Sequence, residues 1–265
     1  MNTADSAWLK ELTGTLKDGK ACEPRGIACL ERIGALSIVN MNRPVISIAT
    51  RKLNYRFMAA EAYWILSGDS STAGIRPYCK NILEFSDDGY HFAGAYGPKV
   101  MEQMRYAVRC LLRDRDTRQA VISIWRENPP YSKDIPCTLT MQFLWRSNSL
   151  HALVNMRSND LWLGWPYDVF NFSMITYYIC LRLKQQERIV FPGMLYLYAG
   201  SSHLYKRNED QAINICNHRD IRDYKAINTY NYNNPDDLMN GLDCLRSRDY
   251  DTTKLTLLPE IATWT

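Results

Sequence analysis

Between residues 134 and 168, three short segments contain the side chains best suited to chemistry. They are 134–137 (Asp-Ile-Pro-Cys), 155–160 (Asn-Met-Arg-Ser-Asn-Asp) and 164–168 (Gly-Trp-Pro-Tyr-Asp). Together they supply a candidate nucleophile, a candidate phosphate ligand and a carboxylate that can hydrogen-bond the edge of a heterocyclic base. The elements around them must bring these segments together.

Cys137 is the candidate nucleophile. It follows a proline at the predicted start of a strand, so its backbone is held locally. We expect Arg157 and Arg118 to lie nearby and to lower the pKa of its thiol toward the thiolate. The alternative is a buried structural cysteine, which is our interpretation of most of the other seven.

Arg157 and Ser158 combine a guanidinium group with a hydroxyl group, which suits the oxygens of a phosphate. The alternative is a salt bridge at the end of a strand between Arg157 and Asp160. For an isolated Arg-Ser pair this structural alternative is the better one.

Three carboxyl groups stand in apolar surroundings. Asp160 and Asp168 flank 161–163 (Leu-Trp-Leu), and Glu61 lies within the apolar segment 57–65. An unpaired buried charge is costly, so each needs a partner or a raised pKa. A raised pKa would suit Glu61 to proton transfer, whereas its structural alternative is an ion pair with Arg56 or Lys52.

His203 and Tyr205 place two polar rings on one side of an element. The usual explanation for such a histidine is a core residue with its hydrogen bonds satisfied. The motif alone therefore does not assign a function.

Hydrophobic periodicity predicts the elements that position these residues. We expect helices over 8–16, 55–66 and 101–112, and a long, nearly apolar central helix that begins at Pro166. The β-branched runs predict a hairpin formed by 137–145 and 150–157, with its turn at 146–149. They also predict two strands joined by a turn within 35–48, a buried strand at 119–125 and a strand at 194–198. We expect a helix from 203 onward and a loop over 228–236. Strands and long helices without regular alternation predict an α+β fold in a single domain over residues 1–265.

Composition excludes several classes of protein. The eight cysteines are scattered without paired spacing, which argues against a zinc site or a disulfide scaffold. The polar N-terminal segment and the absence of a long apolar stretch predict neither a signal peptide nor a membrane span. A net charge of +4 is too small to indicate nucleic-acid binding. We therefore expect a cytoplasmic protein with free thiols, a setting that includes a viral protein in host cytoplasm.

Taken together, the residues resemble the thymidylate synthase family, and more closely its pyrimidine hydroxymethylase branch. The resemblance covers roughly residues 20 to 210, and its Arg-Ser-x-Asp to Pro block is highly specific. The matching pieces, in family order, are Glu61 with Trp64 and 68–69; 94–97 (Gly-Ala-Tyr-Gly); 116–118 (Asp-Thr-Arg); 136–137; 157–160 through Gly164 and Pro166; and 203–205 (His-Leu-Tyr).

The resemblance implies a mixed β-sheet packed with long helices, and a homodimer whose sheets stand back to back. An arginine of one subunit would enter the active site of the other. It also implies two substrates, a pyrimidine nucleoside monophosphate and 5,10-methylenetetrahydrofolate, and no metal.

The same resemblance implies a role for each matching residue. Cys137 looks like the nucleophile that adds to C6 of the base, and Glu61 like the carboxyl that manages protons and water there. Arg25, Arg157 and Ser158 look like phosphate ligands, with Arg118 donated across the dimer. Tyr96, His203 and Tyr205 would contact the nucleotide, the last two through the sugar 3′-hydroxyl. Asp160 and Gly164 would lie on the folate side.

Four positions depart from the synthase pattern. Asp168 stands where the synthases carry asparagine, and a carboxyl suits the amino group and N3 of cytosine better than the N3–H and O4 of uracil. Its structural alternative is a helix cap. Ile82 and Phe85 stand where the synthases have two tryptophans, which favours hydration over hydride transfer. Gln119 replaces an arginine that much of the family carries next to Arg118.

We therefore expect conversion of dCMP, in preference to CMP, to its 5-hydroxymethyl derivative. One alternative keeps the chemistry but adds hydride, giving dTMP from dUMP or 5-methyl-dCMP. Another is a catalytically idle regulator that binds nucleotide or RNA. A virus that modifies its DNA, an antibiotic producer and an ordinary cell are all compatible hosts.

Overall fold

A six-stranded mixed sheet forms the centre of the protein. A computed structural model describes residues 2–228, 231–249 and 259–264. The strand order is β1-β2-β6-β5-β4-β3, and every pair is antiparallel except β5–β6. The strands are β1 (Lys20–Cys22), β2 (Cys29–Asn40), β3 (Val121–Ser123), β4 (Thr138–Arg146), β5 (Ser149–Asp160) and β6 (Phe191–Tyr205).

Helices cover one side of this sheet and supply most of the core. They are α1 (Ala4–Asp18), α2 (Tyr55–Leu66), α3 (Thr72–Ile75), α4 (Tyr96–Arg113), α5 (Trp165–Lys184), α6 (Glu209–Asn217), α7 (Pro235–Ser247) and α8 (Pro259–Ala262). This arrangement confirms the predicted α+β class. Within the described ranges, no helix combines the length and apolar character needed to cross a bilayer.

Helix α5 is the central element, as its apolar sequence predicts. Pro166 lies in its first turn, where the missing backbone N–H costs nothing. Most of its side chains are buried against β5, β6, α2 and α4. The helix also connects β5 to β6, and a connection of this length lets the two strands run parallel.

The register of the sheet gathers the predicted site residues at one end. β4 and β5 form the predicted hairpin, and Arg157 N donates to Cys137 O over 2.8 Å beyond the last β4 pairs. In the parallel pair, Asp160 lies opposite His203. Segments distant in sequence therefore end beside one another.

Four local predictions were wrong. Residues 35–48 contain only the end of the long strand β2, because Val45 and Ile46 are buried outside any strand and Ile48 forms only an isolated bridge with Ile221. The buried strand predicted over 119–125 is limited to the short edge strand β3. The pairing of β6 with both β2 and β5 keeps 203–205 extended, so no helix begins at His203. Helix α7 begins at Pro235, inside the loop predicted over 228–236; residues 229 and 230 lie outside the described residues.

The sheet face opposite the helices carries exposed apolar side chains. Ile33 is 85% exposed, and Leu36 and Tyr198, which are register partners, are 48% and 44% exposed. Leu36 alternates with the buried Ala35 and Ser37, so it points away from the helices. Ile33 follows Arg32, which pairs with Glu11 on α1, so Ile33 also points away from the helices.

Candidate active site

Most of the predicted site residues converge at the end of the sheet where β5 and β6 finish and β4 begins. Cys137 precedes β4, and the segment 157–160 closes β5. Asp168 lies in the first turn of α5, Tyr96 begins α4, and Glu61 lies in α2. Hydrogen bonds and mutual electrostatic effects link these residues.

The thiol of Cys137 is partly buried and touches a hydroxyl group. Ser158 Oγ donates to Cys137 Sγ over 3.5 Å. Burial raises the pKa of the thiol, and the Ser158 hydrogen bond and the Arg157 charge only partly oppose this. The expectation that arginines lower this pKa is therefore wrong in net direction for the single chain, because desolvation outweighs the charge of Arg157.

Arg157 holds the loop that carries the cysteine. Its Nε donates to Pro136 O over 3.0 Å, and its Nη2 donates to Ile135 O over 2.9 Å. Its Nη1 donates to Ser158 Oγ over 3.1 Å. The side chain is otherwise exposed, so the guanidinium group both fixes the loop and presents positive charge at the surface of the site. The ion pair with Asp160 that the structural alternative required is absent from the described residues' salt bridges.

Two further contacts fix the same loop from α4 and the segment before it. Gly94 N donates to Asp134 Oδ2 over 2.7 Å. The Tyr96 hydroxyl oxygen accepts from Thr138 N over 3.2 Å and from Thr138 Oγ1 over 3.0 Å. Burial, together with Asp168 and Cys137, raises the pKa of Tyr96 well above its ordinary value, so its own proton stays available for donation.

Burial favours the neutral form of Asp168. Burial, and after it the Glu61 charge, raise the pKa of Asp168 well above its ordinary value. Asn159 Nδ2 donates to Asp168 Oδ2 over 3.1 Å, which orients the carboxyl group. A Cβ at Gly164 would lie only 3.2 Å from Asp168 Oδ2 and 3.2 Å from Asp160 O, so the space around this carboxyl depends on glycine.

Glu61 is the second acid of the site. Asn171 Nδ2 donates to Glu61 Oε2 over 2.7 Å. Burial raises the pKa of Glu61 to about 7, against the lowering effect of this hydrogen bond. The ion pairs with Arg56 or Lys52 that the structural alternative required do not occur among the described residues, where Arg56 instead donates to Arg246 O. Two neighbouring acids can divide the tasks of proton donor and proton acceptor.

The segment that follows β5 is a tight turn around Asp160. Asp160 Oδ1 accepts from Trp162 N over 2.7 Å and from Leu163 N over 3.1 Å. The rings of His203 and Tyr205 lie beside this turn with centroids 5.1 Å apart in an edge-to-face arrangement. The second Asp160 oxygen is not used by the turn.

Arg118 and Arg25 do not join the cluster within one chain. Arg118 is exposed on the loop between α4 and β3. Arg25 is exposed in the turn between β1 and β2, with a positive φ of 56°. Arg25 nevertheless lies at the same end of the sheet as the cluster, because Cys29 at the start of β2 pairs with Tyr205 at the end of β6.

Sequence reasoning assigned no role to two carboxamides, Asn159 and Asn171. Both are buried, at 2% and 3% exposure, and each donates to one of the two acids. Both Oδ1 atoms are buried and have no hydrogen-bond partner among the described residues. Asn171 follows Asp168 by three residues in an otherwise apolar helix, so the two side chains lie on the same side of α5. This spacing is the sequence signal that indicates a role for Asn171 at the site.

Nothing among the described residues forms a cluster of three or more His, Cys, Asp or Glu side chains suited to a metal ion. No two of the eight cysteines, all of which lie within the described residues, form a disulfide.

Comparison with known proteins identifies the family. The model of the family described as "Thymidylate synthase" matches residues 6–254. A deoxyuridylate hydroxymethyltransferase of Bacillus phage SP01 is 31% identical over 220 residues, which are 75% of this chain and 56% of that protein. A thymidylate synthase of Buchnera aphidicola subsp. Baizongia pistaciae (strain Bp) is 24% identical over 219 residues, 78% of this chain and 81% of that protein. The chain thus spans little more than half the length of the phage relative. The chain belongs to the thymidylate synthase family.

Proposed function

We propose that the chain is one catalytic domain that hydroxymethylates C5 of dCMP, with 5,10-methylenetetrahydrofolate as the one-carbon donor. The observation that carries this proposal is the cluster of Cys137, Asp168 and Glu61, in which a thiol lies near two acids with raised pKa values. A protein that only bound nucleotide or RNA would need neither the thiol nor the second acid.

Cys137 supplies the nucleophile. Its thiolate bonds to C6 of the base, and the electron pair of the C5–C6 double bond makes C5 nucleophilic. Because burial raises the pKa of the thiol in the single chain, we expect positive charge from a second subunit to favour the thiolate. Arg118 is the residue suited to this, since it is exposed and outside the cluster of its own chain.

Glu61 manages the water. C5 bonds to the one-carbon unit of 5,10-methylenetetrahydrofolate. Loss of the C5 proton to water and departure of tetrahydrofolate, as its carbon–nitrogen bond breaks, then leave an exocyclic methylene group on the base. Water then bonds to the methylene carbon, and its proton passes to the Glu61 carboxylate. The displaced electron pair restores the C5–C6 double bond as the sulfur leaves as thiolate. A pKa of about 7 suits Glu61 to this exchange near neutral pH.

Asp168 recognises the base by hydrogen bonding to its edge. As a neutral acid it donates to N3 of cytosine and accepts from the 4-amino group; as a carboxylate it still accepts from that amino group. Cytosine N3 is basic enough to hold the shared proton, so cytosine is accommodated whether the proton rests on Asp168 or on N3. Uracil O4 cannot hold that proton, so an ionised Asp168 would leave O4 facing a negative charge, at a cost of ~1–3 kcal/mol.

The remaining residues bind the other parts of the two substrates. Arg157, Ser158 and Arg25 bind the phosphate group, and His203 and Tyr205 bind the sugar 3′-hydroxyl group. The oxygen of Asp160 that the turn leaves unused accepts from the N–H groups of the pterin ring, near the tight approach at Gly164. Tyr96 donates its retained proton within the nucleotide site. A cytoplasmic location would keep the thiol of Cys137 reduced.

A homodimer completes the site. The exposed apolar side chains of Ile33, Leu36 and Tyr198 support a back-to-back contact between two sheets. Such a symmetric contact lets each subunit lend Arg118 to the other.

Two observations favour a second candidate, the same reaction on dUMP. The phage relative is named as a deoxyuridylate hydroxymethyltransferase. A neutral Asp168 also offers one donor and one acceptor, which match O4 and N3–H of uracil. Hydride transfer, as in the thymidylate synthase relative, is the third candidate. Ile82, partly buried, and Phe85, 52% exposed, stand where the resemblance implies sheltering tryptophans and favour hydration instead.

Tritium release from C5-tritiated nucleotides tests the proposal. With the folate present, we expect release from dCMP, a hydroxymethyl product by mass, and no turnover by Cys137→Ala. Asp168→Asn should raise the preference for dUMP over dCMP roughly 5- to 150-fold, as ~1–3 kcal/mol implies. Release from dUMP alone by the wild type would overturn the base assignment. A methyl product would overturn hydration, and no release from either nucleotide would overturn the enzymatic proposal.

A further inference from the structure

A buried carboxamide on α5 accompanies the acid on α2. Asn171 is 3% exposed and donates from Nδ2 to Glu61 Oε2 over 2.7 Å. Its Oδ1 is buried without a hydrogen-bond partner among the described residues. A buried polar atom without a hydrogen bond costs ~1–3 kcal/mol. Asn171 Oδ1 is therefore expected to accept a hydrogen bond from a molecule that binds in the site.

The surroundings place this acceptor beside the reacting groups. Asn171 lies one helical turn after Asp168, on the same side of α5. Glu61 interacts electrostatically with Asp168 and with Tyr167 on α5. Asp168 in turn affects Tyr96 on α4 and Cys137 before β4. The amide thus borders the cluster that the proposed function assigns to the pyrimidine.

We propose that Asn171 is a positioning residue that orients Glu61 and, with it, holds the water molecule that adds to the exocyclic methylene group. The inference rests on the proposed function. The amide N–H fixes Oε2 of Glu61, while Oδ1 of Asn171 and Oε1 of Glu61 each accept a proton of one water. A water held by two acceptors points its lone pairs away from them, toward the carbon that it attacks.

Asn171→Leu removes both functions of the amide with little change in volume. Release of tritium from C5 precedes water addition, so we expect its rate to stay within about threefold of wild type. The methylene group should then persist longer and react with an added thiol such as 2-mercaptoethanol. We expect the ratio of thioether to hydroxymethyl product to rise at least tenfold, a difference of ~1.4 kcal/mol between the two barriers.

The pH profile gives a second readout. The Asn171 hydrogen bond favours the ionised form of Glu61, so its loss should raise the pKa of Glu61 further above about 7. Hydroxymethyl formation should then reach half its maximum about one pH unit higher. The same shift should appear in the titration of the ¹³C-labelled Glu61 carboxyl by NMR, identified by comparison with Glu61→Gln, in protein without substrates.

Thr176→Val is the matched control. Thr176 is buried in the same helix and its Oγ1 donates to Phe172 O over 2.8 Å, away from Glu61. We expect wild-type product ratio and pH profile from this variant. Should Asn171→Leu fail to fold, Asn171→Met also lacks both the amide donor and the oxygen acceptor, and it should give the same two changes.

An unchanged product ratio together with an unchanged Glu61 titration in the Asn171 variants would overturn the inference. If wild-type protein releases no tritium, the proposed function fails, but the NMR titration still decides whether Asn171 controls Glu61. The two failures are therefore distinguishable.

Discussion

Desolvation dominates the chemistry of individual residues at this site. Burial is the largest effect on the pKa of Cys137, of Glu61 and of Asp168, and it raises all three. Each group is therefore favoured in its neutral form in the single chain. Asn159 and Asn171 reduce this effect by donating to the two acids.

The raised pKa of Glu61 makes stability depend on pH. The folded pKa of about 7 exceeds the ordinary value of 4.5, so the folded chain binds more protons between these values. The stabilisation from protonated Glu61 is complete below about pH 4.5 and is lost as pH rises through about 7. Glu61→Gln, which stays neutral, should therefore have the larger free energy of unfolding above pH 7, by about 3 kcal/mol at most.

Urea unfolding at pH 5 and pH 8.5 measures this difference. The exposed residue Glu102 on α4 provides the control, because Glu102→Gln should show the same small change at both pH values. An equal effect of Glu61→Gln at both pH values would mean that Glu61 is not neutral in the folded chain.

At the scale of elements, the loop before β4 is held from several sides. Arg157 on β5 binds two of its carbonyl groups, and Gly94 before α4 binds Asp134. The position of Cys137 thus depends on contacts between elements that are distant in sequence.

Gly94→Ala tests this dependence. A Cβ at Gly94 would lie 2.7 Å from Asp134 O, so the loop must move. Because a displacement of ~1 Å can reduce turnover by about a hundredfold, we expect kcat to fall at least tenfold. The free energy of unfolding should change by only about 1 kcal/mol, since the loop is at the surface of the site. Steady-state kinetics and urea unfolding measure the two quantities; wild-type kcat would show that the loop tolerates the shift.

At the scale of the whole molecule, one chain leaves the proposed site incomplete. Arg118 stands apart from the cluster, and an apolar face of the sheet is exposed. Both features agree with the proposed homodimer, in which the sheet face is covered and Arg118 enters the neighbouring site.

Mixing two inactive variants tests this sharing. Arg118→Ala and Cys137→Ala should each be inactive alone, but half of the dimers in an equal mixture are hybrids with one intact site. Activity should therefore recover to about a quarter of the wild-type value. Cys137→Ala mixed with Arg157→Ala is the control, because both groups belong to one subunit and no recovery should follow. Absence of recovery in the first mixture would exclude donation of Arg118 across a dimer.

Local sequence patterns determined the elements that are long and periodic. Helix α2 has the predicted bounds, and α5 begins around Pro166 as expected. The turn of the β4–β5 hairpin lies at residues 146–149, between the two predicted strands. These elements could be predicted because their periodicity and turn residues act over a few neighbouring positions. The second strand predicted within 35–48 does not form, because the apolar side chains of 41–48 are buried by tertiary packing rather than by strand pairing.

The sequence by itself determined the kinds of chemical group at the site and, through motif order, a family that comparison confirmed. Only the tertiary structure decided their state. It gave Asp168 and Glu61 their amide partners, and it placed the Cys137 thiol where burial outweighs the charge of Arg157. Desolvation and hydrogen bonding depend on atoms brought together from separate elements, and spacing along the chain does not specify them.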